Sequence, residues 1–490
     1  MEAVSEKNNK WQWWVLFTVI IGTFLGRLDG TIVNLAMPKM MDSFNVSLTT
    51  VGWIATSYII ANAVFVPIWG KLGDTLGQKK VYNIGLVIFI LGSILSAFSW
   101  NFSSMIFFRI IQAIAASSNY PAAMSIIAYT FPDRKKRLQA MGIWSASFAA
   151  AAVFGPLLGG PLIDNFGWPS IFLINLPLGL IGLIMSMTFI TETETTKSVS
   201  FDWWGSLTLG ISLSTLILVL EKGLVWGWTS EKSLLTYLLT LIFSVIFYYI
   251  EKNHPEPVVD LKFFKNEIFV NTLVNNFVVF LGMMGSIFLI PVFASIFLGL
   301  NATQTGYLFM PMALFMMISS PIGGAISGKI EPRYIIFGST LLSAIGLFAF
   351  AHLDVRSTVW DIIIPLSIFA FGMGIGMPQR TSIISNSVPQ NEIGIASSIL
   401  ALARNIAGAF GIAIFNTILI NTEKSNVIEI AKNSILNIPN TTNYGEFVGL
   451  ITLKAQVTAY NKVFVIAAIL VFIGAVLALR IKIPKDNKEF

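Results

Sequence analysis

Long apolar runs recur along this chain, and they limit what it can fold into more than any other feature. A bilayer core ~30 Å thick takes about twenty apolar residues per helix. Fourteen such stretches fall at 14–37, 50–70, 81–100, 103–128, 138–163, 168–190, 203–222, 233–250, 268–295, 304–328, 334–352, 359–379, 393–420 and 460–480. In lipid every backbone amide must be bonded inside the protein, which leaves helices or closed barrels. Barrel strands are ~10 residues long and alternate in polarity, and these runs do not alternate. The sequence therefore predicts an all-α membrane protein of fourteen transmembrane helices. Composition agrees: 11% of the residues are charged and 55% hydrophobic, against ~25% charged in a soluble chain. The first run carries Arg27 and Asp29 and has no A-x-A site, so it reads as a retained helix, not a cleaved signal.

Several classes of function drop out. There is no cysteine, and the two histidines are His254 and His352, so no metal site is expected. A membrane enzyme would need histidines, cysteines or paired carboxylates at one depth, and the runs hold none. No loop is long enough for a soluble receptor module. The net charge of +6 comes without a basic helix or aromatic–basic alternation, so no nucleic-acid partner is expected. No phosphate-binding loop of the G-x-x-x-x-G-K-[ST] form occurs, so no nucleotide cofactor is expected either.

Lysine and arginine set the orientation, because they collect in cytoplasmic loops. With the N-terminus inside, most of the 31 fall in inner segments. These include Lys71, Lys79, Lys80, Arg134 to Arg137, Lys197, Lys262, Lys265, Arg333, Arg380, Arg480, Lys482, Lys485 and Lys488. Both termini are then cytoplasmic, in a bacterial-type plasma membrane. The segment 421–459 becomes a long outer loop that mixes apolar and polar residues (Ile428, Ile435, Phe447).

The second run ends in Gly70-Lys71-Leu72-Gly73-Asp74-Thr75-Leu76-Gly77-Gln78-Lys79-Lys80. The tenth ends in Pro321-Ile322-Gly323-Gly324 and continues to Lys329 and Arg333. Both are glycine-rich helix ends entering a short basic loop, so two six-helix blocks look like copies. The division is 1–190, an insertion of two helices at 191–267, and 268–490 with its outer loop. Repeated halves about a central site mark transporters.

Charges inside runs cost ~2.5–3.5 kcal/mol each on insertion scales and ask for a purpose. Asp29 lies about 12 Å and Arg109 about 9 Å below the outer boundary at 1.5 Å per residue, so the two can pair. Arg27 and Arg404 fall near the midplane. A buried carboxylate beside an arginine is held by opposing effects and can change protonation when its partner or its water access changes. Asn34, Gln112 and Asn276 add polar groups, and with Arg27 and Arg404 they are candidates for a substrate cavity. Gly155-Pro156-Leu157-Leu158-Gly159-Gly160 allows close helix approach in the fifth run.

These residues resemble the major facilitator superfamily, in particular its fourteen-span drug:proton antiporter branch, over nearly the whole chain. Leu28 to Pro38, LDGTIVNLAMP, is similar to that branch's first-span motif L-D-x-T-I-V-N-x-A-L-P. Gly70, Gly73, Asp74, Gly77, Lys79 and Lys80 match the loop motif between spans 2 and 3. Arg109-Ile110-Ile111-Gln112-Ala113 is similar to R-x-x-Q-G, with Ala113 in place of glycine. Gly155, Pro156, Gly159 and Gly160 are similar to the span 5 antiporter motif, with Ala151 where its leading glycine is expected. Arg404-Asn405-Ile406-Ala407-Gly408 resembles the span 13 pattern.

The resemblance implies a 6 + 2 + 6 major facilitator fold and alternating access. It implies proton binding at Asp29, tuned by Arg109, and a gate at Asp74. It also implies a hinge or tight seam between the halves at the span 5 glycines. The implied activity is export of amphipathic compounds, drugs among them, by a monomer driven by the proton gradient without a cofactor. Arg27 departs from the motif, where a small or apolar residue is usual. Three buried arginines against one deep aspartate raise the alternative of an exporter or flippase for a lipid or an anionic organic substrate. One charge crossing 100 mV supplies ~2.3 kcal/mol, enough for roughly a fortyfold gradient of a neutral compound.

Overall fold

Helix caps and breaks in the sequence set the elements of the computed structural model, which describes residues 2–193, 202–300, 302–327, 329–433 and 444–481. Lys197, Ile435, Lys482, Lys485 and Lys488 lie outside the described residues. The N-terminal half contains α1 (Glu2–Phe44), α2 (Leu48–Val51), α3 (Trp53–Leu76), α4 (Gln78–Ala97), α5 (Phe102–Ala116), α6 (Asn119–Thr130), α7 (Arg134–Phe166), α8 (Ser170–Leu173) and α9 (Asn175–Phe189). The inserted pair is α10 (Trp203–Trp226) and α11 (Glu231–Asn253). The C-terminal half contains α12 (Glu267–Phe297), α13 (Ala302–Tyr307), α14 (Phe309–Ile326), α15 (Pro332–Ala349), α16 (Val359–Asn386), α17 (Ile393–Asn433) and α18 (Tyr444–Ala478). We call the face where α1 begins proximal and the opposite face distal.

Among the described residues, 12 helices are long and apolar enough to cross a membrane, two fewer than the fourteen expected. The expected run 103–128 is split into α5 and α6. Pro121 has no N–H to bond the Ser117 carbonyl, and the Ser117 and Ser118 hydroxyls turn back onto Ile114 and Ala115 carbonyls at 2.7 and 2.8 Å. Neither piece alone reaches spanning length. The run 138–163 lies in α7, a helix rich in alanine, glycine and serine. It follows α1 closely: Trp144 Nε1 donates to Thr23 Oγ1 at 2.9 Å, and Trp168 Nε1, just past its end, donates to Ser43 Oγ at 3.1 Å.

Two further expectations change. The segment 421–459 is not a loop where it is described. α17 continues to Asn433 and α18 starts at Tyr444. The two run side by side, joined by Gln456 Nε2 to Glu423 Oε1 at 2.9 Å. The mixed polarity read as a surface segment is the pattern of two helices packed on each other along one face. Arg380, assigned to an inner loop, is 1% exposed within α16, because α16 continues past the apolar run to Asn386.

Each half has its own apolar core. In the C-terminal half it includes Phe293, Phe350, Phe369 and Phe415, and in the N-terminal half Phe89, Phe131 and Trp144. The halves meet along α7–α14 and α3–α17, and α6 also packs against α17. Glycine sits at the closest points. A Cβ on Gly142 would meet the Ser320 carbonyl oxygen at 2.7 Å, and one on Gly70 would meet the Gly394 carbonyl oxygen at 2.8 Å. Both contacts lie toward the proximal face. α10 leans on α3 and α17, whereas α11 leaves Leu234, Leu238, Leu241 and Tyr249 uncovered. In lipid that apolar face is in its preferred solvent.

The chain has no cysteine, so a pair of introduced thiols reports the seam without background. In Gly70→Cys/Ser398→Cys, oxidation should join the halves and remove both thiols from maleimide labelling. Full labelling of both after oxidation would show that α3 and α17 do not close there.

Candidate functional site

The site is a polar cluster sunk among apolar helices. α1 carries Asp29 and α5 carries Arg109 and Gln112, one turn apart on one face. Arg109 Nη1 donates to Asp29 Oδ2 at 2.6 Å and also to Gln112 Oε1 at 2.6 Å. Gln112 Nε2 donates to Asp29 Oδ1 at 2.9 Å and to Ser93 Oγ of α4 at 2.7 Å. Asn175, at the start of α9, donates from Nδ2 to Asp29 Oδ1 at 3.3 Å. The expected Asp29–Arg109 pair is thus made, with side chains 0% and 1% exposed. The Arg109 guanidinium also lies 4.2 Å from the centroid of the Tyr58 ring of α3, a cation–π contact that adds stabilisation in a dry site. Gly92 lets α4 approach this closely, since a Cβ there would touch the Gln112 Cα at 3.0 Å.

Beside the cluster lies a cavity of about 320 Å³, lined in part by Arg27, Asn34, Tyr58, Arg109, Tyr120 and Asn405. Arg27 is exposed there, and Asn34 joins it as expected. Gln112 is 0% exposed and belongs to the Asp29 cluster, not to the lining. Arg404 and Asn276 are buried next to the cavity on the side of the C-terminal half. Arg404 Nη1 donates to the Tyr120 hydroxyl at 2.7 Å, and its Nε and Nη2 donate to Asn276 Oδ1 and Thr381 Oγ1 at 3.3 Å each. Deeper in that half, Arg380 is held by Asn275 Oδ1 at 2.8 Å and by the Thr340 hydroxyl.

The loop motif lies at the proximal seam. Asp74 Oδ2 accepts the Ile395 backbone N–H at 3.0 Å, and Oδ1 accepts Gln78 Nε2 at 2.7 Å. A carboxylate of one half therefore sits on the helix N-terminus of the other, where the backbone dipole favours negative charge. Gly70 and Gly73 leave room for Ser398 and Gln78, and Gly77 takes φ +101°. The Lys79 and Lys80 backbone N–H groups donate to the Glu192 carboxylate at 2.9 and 3.1 Å, which caps α4.

The span 5 glycines lie elsewhere than expected. Gly155 packs on Thr31, and Gly159 on Ile32 and Leu35, all in α1 of the same half; a Cβ on Gly160 would meet no other helix within 4 Å, and Pro156 is part of the same α7 segment. Their closeness serves packing within the half, and the close approaches of α7 across the halves include those at Leu138 and Gly142. Sequence reasoning missed Ser93, Asn175 and Tyr58. Each is an ordinary residue in an apolar run, with nothing to say which way it faces.

The profile of the Major Facilitator Superfamily matches residues 19–412. The multidrug transporter protein MdtP of Bacillus subtilis is 33% identical over 411 residues, 84% of this chain and 75% of that protein. The riboflavin transporter RibZ of Clostridioides difficile is 32% identical over 412 residues, 83% of this chain and 88% of that protein. Among solved structures, the human organic anion transporter MFSD10 (TETRAN) is similar in fold, with TM-score 0.63 at 13% identity, covering 94% of this chain and 99% of that one.

The cluster makes a prediction about stability. Arg109→Met strands an ionised Asp29 in the interior and should cost about 3–5 kcal/mol. Asp29→Asn/Arg109→Met should recover most of that loss, because no charge is left unmatched. The check is the thermal unfolding midpoint in detergent across the double-mutant cycle. A double variant no more stable than Arg109→Met would show that Arg109 acts through packing, not charge.

Proposed function

The chain belongs to the Major Facilitator Superfamily and is a multi-pass membrane transporter, and from that premise we propose that it exports amphipathic organic compounds by alternating access coupled to protons. One observation carries the reading. Arg109 is ion-paired to the buried Asp29 and at the same time lines the cavity. Proton occupancy of Asp29 and cargo occupancy of the cavity therefore act on one guanidinium.

In the state described, Asp29 accepts from three N–H donors, of Arg109, Gln112 and Asn175, an arrangement that suits the ionised carboxylate. Asn175 Oδ1 is buried without a hydrogen-bond partner, so a turn of that amide, which now offers Nδ2 to Asp29, would present an acceptor to the O–H that protonation creates. A proton on Asp29 releases Arg109 from its ion pair and shifts charge into the cavity wall. The halves then exchange one closed face for the other. The Asp74 contact with Ile395 latches the proximal face, which is the cytoplasmic face in this reading, with both termini inside. The transporter acts as a monomer, needs no bound cofactor, and is driven by the proton gradient across a bacterial plasma membrane.

The fourteen-span arrangement of the drug:proton branch belongs to the same proposal. The α5–α6 pair and α7 lie between helices that cross. α7 with Trp168 follows α1 from Thr23 to Ser43, about 30 Å at 1.5 Å per residue, which is the thickness of the bilayer core. Relatives named for multidrug and for riboflavin transport support a drug-sized amphipathic cargo, and the cavity volume falls at the low end of the range for such ligands.

Asp29→Asn keeps the shape and an acceptor oxygen but cannot titrate. In vesicles with an imposed pH gradient, it should end proton-driven accumulation of cargo while the protein still folds and inserts. Undiminished transport by this variant would remove Asp29 from the mechanism.

A further inference from the structure

The charge of the cavity is one-sided. Among the described lining residues are Arg27 and Arg109 and no carboxylate. Asp29 already neutralises Arg109, and at 0% exposure it does not reach cargo. Arg27 is exposed to the cavity, and Arg404 lies near enough to repel it. The described partners of Arg404 are the Tyr120 hydroxyl, Asn276, Thr381 and the ring faces of Tyr120 and Phe280, none of them acidic. Guanidinium groups are expensive at this depth and mark substrate paths or paired sites.

The position of the Arg404–Tyr120 bond matters as much as its chemistry. Tyr120 belongs to α6 and Arg404 to α17, so the bond crosses from one half to the other. On its span Tyr120 is the lining residue closest to the proximal face, so the bond forms part of the cavity floor. Moving the halves apart at that face breaks it and exposes the Arg404 guanidinium. A tyrosine hydroxyl is a neutral acceptor, and a charge-assisted bond to an oxyanion is about twice as strong.

We propose that the cargo is an amphipathic organic anion whose carboxylate, sulfonate or phosphate group is held by Arg404 and Arg27 when the proximal face is open, and that Tyr120 displaces it from Arg404 when that face closes. The inference rests on the export reading and names its substrate class. Arg404 serves two partners in turn, cargo with the floor open and Tyr120 with it shut. Affinity is therefore high toward the proximal side and lower toward the distal side, the order that export requires. The apolar body of the cargo lies against Val33, Ile59 and Val66. One monovalent anion leaving while one proton enters moves two charges in the same sense, whereas a monovalent cation exchanged for a proton moves none.

The test compares two amphipathic dyes on the purified full chain in lipid nanodiscs: the anion 1-anilinonaphthalene-8-sulfonate and the cation ethidium. The anion should bind saturably and more tightly than ethidium. Arg404→Gln and Arg27→Gln should each weaken the anion at least tenfold without weakening ethidium, and Arg404→Lys should restore part of the loss. Tyr120→Phe removes only the competing hydroxyl and should tighten the anion severalfold, so the proposal remains testable if Arg404→Gln fails to fold. Preference for ethidium, no saturable anion binding, or unchanged anion affinity in Arg27→Gln and Tyr120→Phe would each overturn it. Vesicle transport separates the two readings. Anion binding without proton-driven movement sinks export alone, whereas proton-driven ethidium transport without anion binding sinks the anion alone. In a potassium diffusion potential at equal pH, anion export should follow the potential.

Discussion

A charge inside a bilayer needs groups that replace water, a counterion or enough hydrogen bonds, and the N-terminal half is organised around that demand at Asp29. The carboxylate draws donors from α5 and α9, and Ser93 of α4 ties the same donors together. The Coulomb gain alone does not offset desolvation of both ions, so these extra hydrogen bonds are part of what makes the pair tolerable. The helices have to meet at one point to supply them. Small residues make that meeting possible: Gly92 admits Gln112 to Ser93, and Gly155 and Gly159 bring α7 onto α1. Packing and chemistry are here one constraint.

The C-terminal half meets the same demand without a carboxylate among its described partners. Arg380 of α16 is held by Asn275 of α12 and Thr340 of α15. The halves are therefore unlike in charge. Titratable chemistry sits in one half, while guanidinium groups with neutral partners sit in the other. The cavity lies where these two kinds of wall meet.

The contacts between halves are built for separation. At the proximal seams they include glycine-to-backbone approaches, the Asp74 carboxylate on a helix end and the Arg404–Tyr120 bond. The inserted pair bridges the same two helices, α3 and α17, toward the distal face. Lys222 lies 4.9 Å from the Trp53 ring centroid of α3, while Trp228 Nε1 donates to Thr417 Oγ1 of α17 at 3.1 Å. The linker that follows reaches both sides too, through Lys71–Glu256 at 3.7 Å and Lys262–Glu392 at 2.9 Å. Burial would lower the pKa of the Lys262 ammonium, but its hydrogen bonds to Asp260 and Glu392 outweigh that and hold it above the ordinary lysine value.

The membrane class, the depth match of Asp29 with Arg109 and the glycine-rich loop at Asp74 were legible in the sequence. Each depends on spacing along one helix or on the absence of charge over a length of chain. Tertiary structure alone decided the rest. Ser93, Asn175 and Tyr58 joined the cluster because separate helices turned those faces inward, and a single polar residue in an apolar run carries no direction. The span 5 glycines packed against α1 and not across the halves, Arg380 was drawn into the protein by extra turns of helix, and 421–459 became paired helices where described. A bilayer tells a sequence how long and how apolar its helices must be, but the partner each helix face meets is settled only when all of them pack at once.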